Sequence, residues 1–497
     1  MLLLKLNRKN SIPLYKQIID QIREMVENDT LRKGDALPPT RELAKILGVD
    51  RTTVYRAYLE LAALGYIESR PGSYTRVRQR AKVVSTRQKS EEGIIDWEEI
   101  SSPESRLLYD YFLRFRPESA EKLPVDLINL SPLDLDYRLF PVTEFRRCLN
   151  QVLVNQGAKI LSYGQHQGYL PLRDDIAQRL QVHGISITPE EILITNGAQQ
   201  AIDLVLKLFS IRGGTVALES PTYANVIPLI QHYGLEIAGI PMKNNGLDLE
   251  FLVEILQRKK PIFLYSIPNF QNPTGITTSQ IHRENLLAIC ERYKIPLVED
   301  GFEEEMKYFG KAVLPVKSMD RKKLVVYLGT FSKVLFPGIR IGWIAADREC
   351  IRRLTAIKRF GDLTSSTLIQ AALSAFIRNG YFDLQLKRMH RIFRRRLTVA
   401  LNALQQNMPA SVNWTKPDGG YTIWVSLKNS YHDEQLLKKI MIKNGVLVSP
   451  GAYYFHLSNA PKYFRISIST LDEEEIKTGI VRLGRALDEL LSLRKSA

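Results

Sequence analysis

Gly329-Thr330-Phe331-Ser332-Lys333, with Arg340 seven residues on, follows the apolar run Leu324 to Leu328 and gathers two hydroxyls, an amine and a guanidinium at one place in the chain. Runs of the same kind occur at Ile192 to Thr195, Thr215 to Glu219, Ile262 to Ile267, Pro296 to Glu299 and Arg340 to Ala345, with helical stretches between them. Short apolar runs alternating with helices predict an α/β domain, a mostly parallel sheet covered by helices on both faces. Ligands of such sheets bind beyond the carboxyl ends of the strands, so the residues that follow each run form the candidate site.

Four other strand ends carry chemistry. Asn196-Gly197-Ala198-Gln199-Gln200 opens a helix with small residues, leaving backbone N–H groups free to cradle a phosphate. Ser220-Pro221-Thr222-Tyr223 places an aromatic ring that can stack on a planar heterocycle. Asn272, within Pro268 to Gly275, can donate to a phenolate oxygen. Glu299-Asp300 ends a buried strand, where a carboxylate is costly unless it meets a cation. Taken singly, each is as well explained by a turn or by core packing. Taken in this order, a phosphate cradle, a stacking ring, a phenolate donor, an acid, an amine and an arginine describe one ligand, pyridoxal 5'-phosphate. Its aldehyde condenses with a lysine, a carboxylate keeps its pyridine nitrogen protonated, and its phosphate needs amides, hydroxyls and an arginine.

The first 80 residues read differently. Leu14, Ile18, Ile22, Met25 and Val26 form a helical stripe that starts after Ser11 and Pro13. Beyond Pro38-Pro39, Thr40 is expected to cap a short helix, Arg41 to Leu47, closed by Gly48, and Asp50 to cap a third. Two helices joined by Gly48-Val49-Asp50 have the proportions of a helix-turn-helix, whose second helix enters the major groove. Val54, Ala57, Leu61 and Leu64 should face inward, leaving Arg51, Thr52, Thr53, Tyr55 and Arg56 outward. Tyr66 to Ser69 and Tyr74 to Val77 alternate around Arg70-Pro71-Gly72-Ser73, a hairpin or wing. Residues 1–80 hold 15 Lys or Arg and 9 Asp or Glu, about three times as positive per residue as the rest of a chain whose net charge is +16. Phosphate neutralisation by Lys and Arg supplies the sequence-independent part of nucleic-acid binding.

Leu37-Pro38-Pro39-Thr40-Arg41-Glu42-Leu43-Ala44, Gly48 to Val54 and Leu64-Gly65-Tyr66 resemble the signature of the GntR superfamily of winged helix-turn-helix regulators, over about 65 residues. The wing of that family usually reads Gly-Ser-Gly, where this chain has Gly72-Ser73-Tyr74. The resemblance implies DNA contacts from Arg41, Gly72 and Ser73 besides the outward residues of the third helix. Residues 126–497 resemble the fold-type I aminotransferases, specifically the subgroup fused to such heads, the MocR subfamily of regulators. Carried over, Lys333 is the lysine that condenses with the cofactor and Asp300 the partner of its pyridine nitrogen. Asn272 binds the phenolic oxygen, Tyr223 stacks on the ring, and Ala198, Gln199, Thr330, Ser332 and Arg340 hold the phosphate. Tyr163 in Tyr163-Gly164 matches the tyrosine that reaches a neighbouring subunit's cofactor, and Arg465 the arginine that pairs with a substrate carboxylate. One departure stands out: Glu299-Asp300-Gly301-Phe302 replaces the usual Glu-Asp-Asp-Tyr, so a phenol that usually touches the cofactor's oxygen is missing.

The remaining features set limits. At 497 residues with 44% hydrophobic side chains the chain is multidomain: a DNA-binding head over 1–80, a linker over 81–125 and an effector domain over 126–497. Leu107, Leu108, Tyr109, Tyr111 and Phe112 are too apolar to stay solvated, so part of the linker should dock on the large domain or on a partner chain. Cys148, Cys290 and Cys350 lack metal or disulfide spacing, and no metal site is expected. No apolar stretch is long enough to span a bilayer, and Met1 to Leu4 is too short for a signal segment, so a cytoplasmic protein without membrane contacts is expected. The basic stretch Lys387, Arg388, Arg391, Arg394, Arg395 and Arg396 fits a solvated or interface face better than a second DNA patch.

Together these features lead to the expectation of a homodimeric transcription regulator that binds a double-stranded operator and senses an amino acid or amine through transimination at Lys333, with room for partial or vestigial transaminase activity. Two alternatives stay open: a working aminotransferase with a DNA-binding head, and a regulator whose effector is pyridoxal 5'-phosphate itself.

Overall fold

The computed structural model describes residues 4–8, 11–69, 74–78, 95–115, 124, 126–428, 434–457 and 463–493, and the chain divides into two compact units, Met1–Trp97 and Glu98–Ala497.

In the first unit the apolar stripe buries Ile18 and Ile22 on the helix Leu14–Glu27, against Leu43 and Ala44 of Thr40–Leu47 and Val54, Ala57 and Leu61 of Arg51–Ala63. Two features differ from expectation. Thr40 is the first residue of its helix and not its cap; Pro39 holds the cap position, where its hydrocarbon ring offers no hydrogen bond but fixes φ at −56°. Leu64 is 47% exposed, because the helix ends at Ala63 and the chain leaves the stripe there. Asp50 does cap the third helix, accepting from Thr52 N at 2.7 Å. Gly48 turns between the two helices at φ +61°, where a Cβ is strained. Gly48→Ala is therefore expected to destabilise the head by about 1 kcal/mol, read as a lower melting transition of the full-length protein with its DNA affinity falling only near that transition. Ile67–Glu68 pairs antiparallel with Arg76–Val77, the base of the expected hairpin, while Gly72 and Ser73 at its tip lie outside the described residues.

The second unit is built on an eight-stranded sheet. In spatial order its strands are Ile192–Thr195, Gly342–Ala345, Val325–Thr330, Leu297–Asp300, Phe263–Ser266, Thr215–Ser220, Glu236–Lys243 and Gly246–Leu247. The pairings from Val325–Thr330 through Glu236–Lys243 are parallel and the outer ones antiparallel. The expected mostly parallel sheet is thus borne out, with two strands, Glu236–Lys243 and Gly246–Leu247, beyond those read from the sequence. The side-chain period of 2 separates the faces: Val298 and Val326 pack under the helix Ala198–Phe209, whereas Leu297 and Val325 pack with Leu286 and Cys290 of Gln280–Tyr293. The last sequence run is shorter than expected, because Arg340 stands outside the strand in the left-handed region at φ +50°.

A second sheet of four antiparallel strands, Val412–Trp414, Thr422–Leu427, Tyr463–Ser467 and Ser449–Pro450, carries Arg465 at its centre. The basic stretch 387–396 lies on the helix Tyr381–Asn407, and several of its cations are engaged within the chain. Arg396 is 3% exposed against Asp136 at 2.7 Å, Arg395 faces Glu473 at 3.4 Å, and Arg394 lies over the Phe309 ring. Within 81–125, Pro103–Phe115 is a helix packed on Val226–His232, with Tyr111 donating to Gln231 at 3.0 Å. Leu107, Leu108 and Tyr111 are half-buried there, whereas Tyr109 and Phe112 remain exposed. No described helix is long and apolar enough to cross a membrane.

Candidate functional site

The parallel register sets Asp300 beside Leu328 and Glu299 beside Ser266, so the carboxyl ends of three neighbouring strands open on the same side. Beyond them lies a cavity of about 800 Å³. Ala198, Gln199, Tyr223, Asn272, Asp300, Thr330, Ser332, Lys333, Arg340 and Arg465 all line it, so residues spread over 268 positions of sequence meet in one volume. Tyr163 does not reach the cavity of its own chain and is 85% exposed.

One end suits a phosphate. Gly197, at φ +84°, precedes the helix Ala198–Phe209, and a Cβ there would lie 2.9 Å from an Arg340 guanidinium nitrogen. Arg340 is held by donation to the Asn196 carbonyl at 2.9 Å. Thr330 and Ser332 stand beside it; Ser332 N donates to Thr330 Oγ1 at 3.1 Å, and Ser332 Oγ is buried with no partner among the described residues. The Tyr223 hydroxyl donates to Gln199 Oε1 at 3.0 Å, and burial pushes its pKa up to about 12, so the ring is a fixed neutral platform.

In the middle, Asp300 is 3% exposed. Tyr265 donates to its Oδ2 at 2.6 Å, while Oδ1 is buried without a partner among the described residues. Burial raises its pKa to about 6 against the hydrogen bond from Tyr265. A desolvated carboxylate with one bare oxygen suits a cation brought by a ligand. Lys333 Nζ donates to the Leu133 carbonyl at 2.7 Å, and desolvation lowers its pKa against the opposing pull of Asp134 and Glu303, which favours the nucleophilic neutral amine. Phe302 lines the wall where the missing phenol would be expected. These donor groups, the bare oxygens and the close approach at Gly197 fit pyridoxal 5'-phosphate.

At the other end Arg465 is 7% exposed, donating to Asn272 Oδ1 at 3.0 Å and to the Ser131 carbonyl at 2.6 Å, with Nε buried and unpartnered among the described residues. Its guanidinium carbon lies 5.3 Å from the centre of the Tyr454 ring.

Three contributors escaped sequence reading. Tyr265 looked like one more apolar strand residue, and its signal was a hydroxyl inside a buried run. Glu303, fully buried with a pKa raised to about 8 by desolvation, sits in the acidic run Glu303-Glu304-Glu305. The Leu133 carbonyl has no side-chain signal at all. In the head, Arg41, Arg51, Thr52, Tyr55 and Arg56 are exposed and Thr53 is half-buried. Thr52 also donates its hydroxyl to Asp50, and Arg56 folds back over the Tyr15 ring at 4.0 Å.

Comparisons with known proteins agree with this geometry. Residues 125–483 match the family model of class I and II aminotransferases, and residues 14–77 that of the gntR family of bacterial regulatory proteins. The chain is 31% identical over 490 residues to the uncharacterised HTH-type transcriptional regulator YdfD of Bacillus subtilis, covering 98% of each chain. It is 35% identical over 356 residues to aromatic-amino-acid aminotransferase 1 of Thermococcus litoralis, covering 70% of this chain and 85% of that enzyme. Among solved structures, LysN, the alpha-aminoadipate aminotransferase of Thermus thermophilus complexed with N-(5'-phosphopyridoxyl)-L-leucine, superposes with a TM-score of 0.73 at 32% identity, covering 80% of this chain and all of that one.

Proposed function

The chain belongs to the class I and II aminotransferase family, joined to a gntR-family head, and from that premise we propose that this transcription regulator senses an amino acid or amine at Lys333 through pyridoxal 5'-phosphate. The observation that carries the reading is the convergence of Lys333, the half-satisfied Asp300 and the Gly197–Arg340 cradle in one cavity. When bound, the cofactor supplies an aldehyde carbon that condenses with amines and a pyridine ring that draws electrons from it. The protein's part is positional. Tyr265 orients Asp300, whose carboxylate would hold a proton at the ring nitrogen. Tyr223 would stack on the ring and Asn272 would donate to its phenolic oxygen, without help from a second phenol because Phe302 stands there. Arg340, Ser332, Thr330 and the first amides of the helix, at Ala198 and Gln199, would hold the phosphate.

Sensing follows from exchange. An incoming amine would displace the Lys333 amine, leaving the lysine free, and its carboxylate would engage Arg465, whose planar fork can pair two oxygens at once. If the domain arrangements that bind and release DNA differ in affinity for the bound amino compound, operator affinity shifts by the same coupling. The exposed Tyr163, left in solvent by its own chain, suits contact with a second subunit's site, which supports a homodimer and paired operator half-sites. The head would read those half-sites through the outward residues of Arg51–Ala63, as a cytoplasmic DNA-binding protein does. By their names, the two aminotransferase relatives act on different amino acids, so they support an amino compound as effector without choosing its side chain.

An absorbance spectrum of the purified full-length protein tests this. A visible band from the lysine-bound cofactor should be present, vanish in Lys333→Ala, and shift on titration with an amino compound that also changes operator affinity. A colourless protein that takes up no added cofactor overturns the reading. Multiple turnovers with a keto acid would mark a working aminotransferase, and operator binding that responds to the cofactor alone would mark the cofactor as the effector.

A further inference from the structure

The cavity does not end at Lys333 and Arg465. Its lining also includes Phe115, Leu437, Met441, Val448, Tyr453 and Tyr463, together with the exposed Gln435 and Lys438. The whole volume, about 800 Å³, lies within the range of about 300–1,000 Å³ for ligand pockets and has to hold the cofactor as well as the effector. We infer that the effector is an amino acid with an aromatic or bulky apolar side chain, that Phe115 is the residue that selects it, and that its seating against Phe115 is felt by the helix leading from the DNA-binding head. The inference rests on the reading that the amine displaces Lys333 from the cofactor and that Arg465 takes the carboxylate.

The geometry supports each part. With the amine of an amino acid standing where the Lys333 amine stood and its carboxylate on Arg465, the side chain is the group left to meet this largely aliphatic and aromatic part of the lining. Burial of an apolar side chain there is favourable, and a small or ionised one forgoes that gain or strands a charge. Phe115 is the last residue of the helix Pro103–Phe115, and its ring meets Tyr453 edge-on, centroids 4.7 Å apart at 83°. Tyr453 donates its hydroxyl to the Arg114 carbonyl at 3.1 Å, and Arg114 donates back to the Ala452 carbonyl at 3.4 Å. The next residue, Tyr454, lies under the Arg465 guanidinium. An unbroken line of contacts therefore runs from the carboxylate anchor through Tyr454, Tyr453 and Phe115 to a helix that lies between the head and the rest of the large domain in sequence. Contiguous packed groups of this kind carry coupling between sites when both ends have two arrangements.

The test uses full-length protein loaded with pyridoxal 5'-phosphate and follows the visible band on titration with L-phenylalanine, L-alanine and L-glutamate, with operator affinity measured alongside. L-Phenylalanine is expected to bind about 10- to 100-fold more tightly than L-alanine or L-glutamate. Phe115→Ala should bring the phenylalanine-to-alanine ratio to within about threefold of unity and, at saturating L-phenylalanine, blunt the change in operator affinity. Phe115→Leu, which keeps an apolar side chain at the helix end, should retain part of both. A purely structural role would shift all three ligands together and leave the ratio intact, which overturns the inference, as does a protein that takes up cofactor yet prefers L-alanine or L-glutamate. A protein with no visible band overturns the reading beneath it and this inference with it.

Discussion

Asp136→Ala is expected to destabilise the large unit by about 3–5 kcal/mol, the cost of breaking a buried ion pair from one side. Asp136 is 1% exposed and accepts from Arg396 at 2.7 Å and from Arg138 at 2.8 Å, while its carboxylate also takes the Arg138 backbone N–H at 3.1 Å. Removing it leaves the Arg396 guanidinium 3% exposed, with the Ser469 carbonyl, 3.5 Å away, and the face of Phe393 as its remaining contacts among the described residues. Arg138 loses less, because it also reaches Asp472 and Glu475 at the surface. The double variant Asp136→Ala with Arg396→Met should recover a large part of the loss, since an apolar pair avoids the stranded charge. The pH sign follows from the direction of the shift. Burial pushes the Asp136 pKa up, but the hydrogen bonds from Arg138 and Arg396 outweigh it and hold the carboxyl below its ordinary 3.8. The stabilisation is therefore complete above that value and fades only as pH falls through the lower native one. Urea unfolding of wild type and variant at neutral pH and at about pH 5 should give the same gap; a gap that closes by pH 5 would mean that Asp136 is not held ionised by these arginines.

What the sequence made legible divides along physical lines. The central strands were readable because each is an apolar run too short for a helix, and the site because chemistry sits directly after each run, as at Asp300 and Lys333. Glu236–Lys243 was missed because Gly239 and Pro241, both poor strand formers, break up its few apolar residues. The antiparallel sheet that carries Arg465 gave no run of its own, so that arginine was found by resemblance to a family and not by pattern. Tertiary partners were invisible throughout: nothing in the stretch Asp134-Leu135-Asp136 announces that Arg396, 260 positions away, will be buried against it. The basic helix 387–396 shows the same limit, since charge counting cannot tell an arginine spent on the core from one offered to solvent. The helix Pro103–Phe115 read as tether because its flanks are charged and polar, although its apolar residues did signal docking.

Asp300→Asn should act in opposite directions on stability and on cofactor binding. In the native protein desolvation raises the Asp300 pKa from 3.8 to about 6 despite the hydrogen bond from Tyr265. A carboxyl whose native pKa is raised binds its proton more tightly folded than unfolded, so its contribution to stability is greatest in acid and declines as pH rises from about 4 to about 6. At neutral pH the ionised group then costs the cofactor-free protein on the order of 3 kcal/mol. The neighbouring buried acids Glu219 and Glu303 feel its charge as well, each with Asp300 among the causes raising its pKa. An amide cannot ionise, and its oxygen still accepts from Tyr265. The cofactor-free variant should therefore melt higher than wild type at neutral pH, with the difference shrinking toward pH 5, even after the amide's own unpaired N–H groups take back part of the gain. The cofactor reverses the comparison. On the proposed role, a protonated pyridine nitrogen would supply a cation to Asp300, and exchanging the carboxylate for an amide would remove a charge-assisted hydrogen bond worth about 1.5–3 kcal/mol, or roughly 10- to 150-fold in cofactor affinity. Melting curves with and without pyridoxal 5'-phosphate measure both effects in one experiment. A variant less stable than wild type when cofactor-free, yet undiminished in cofactor affinity, would mean that Asp300 supports the fold through Tyr265 and is not the partner of the ring nitrogen.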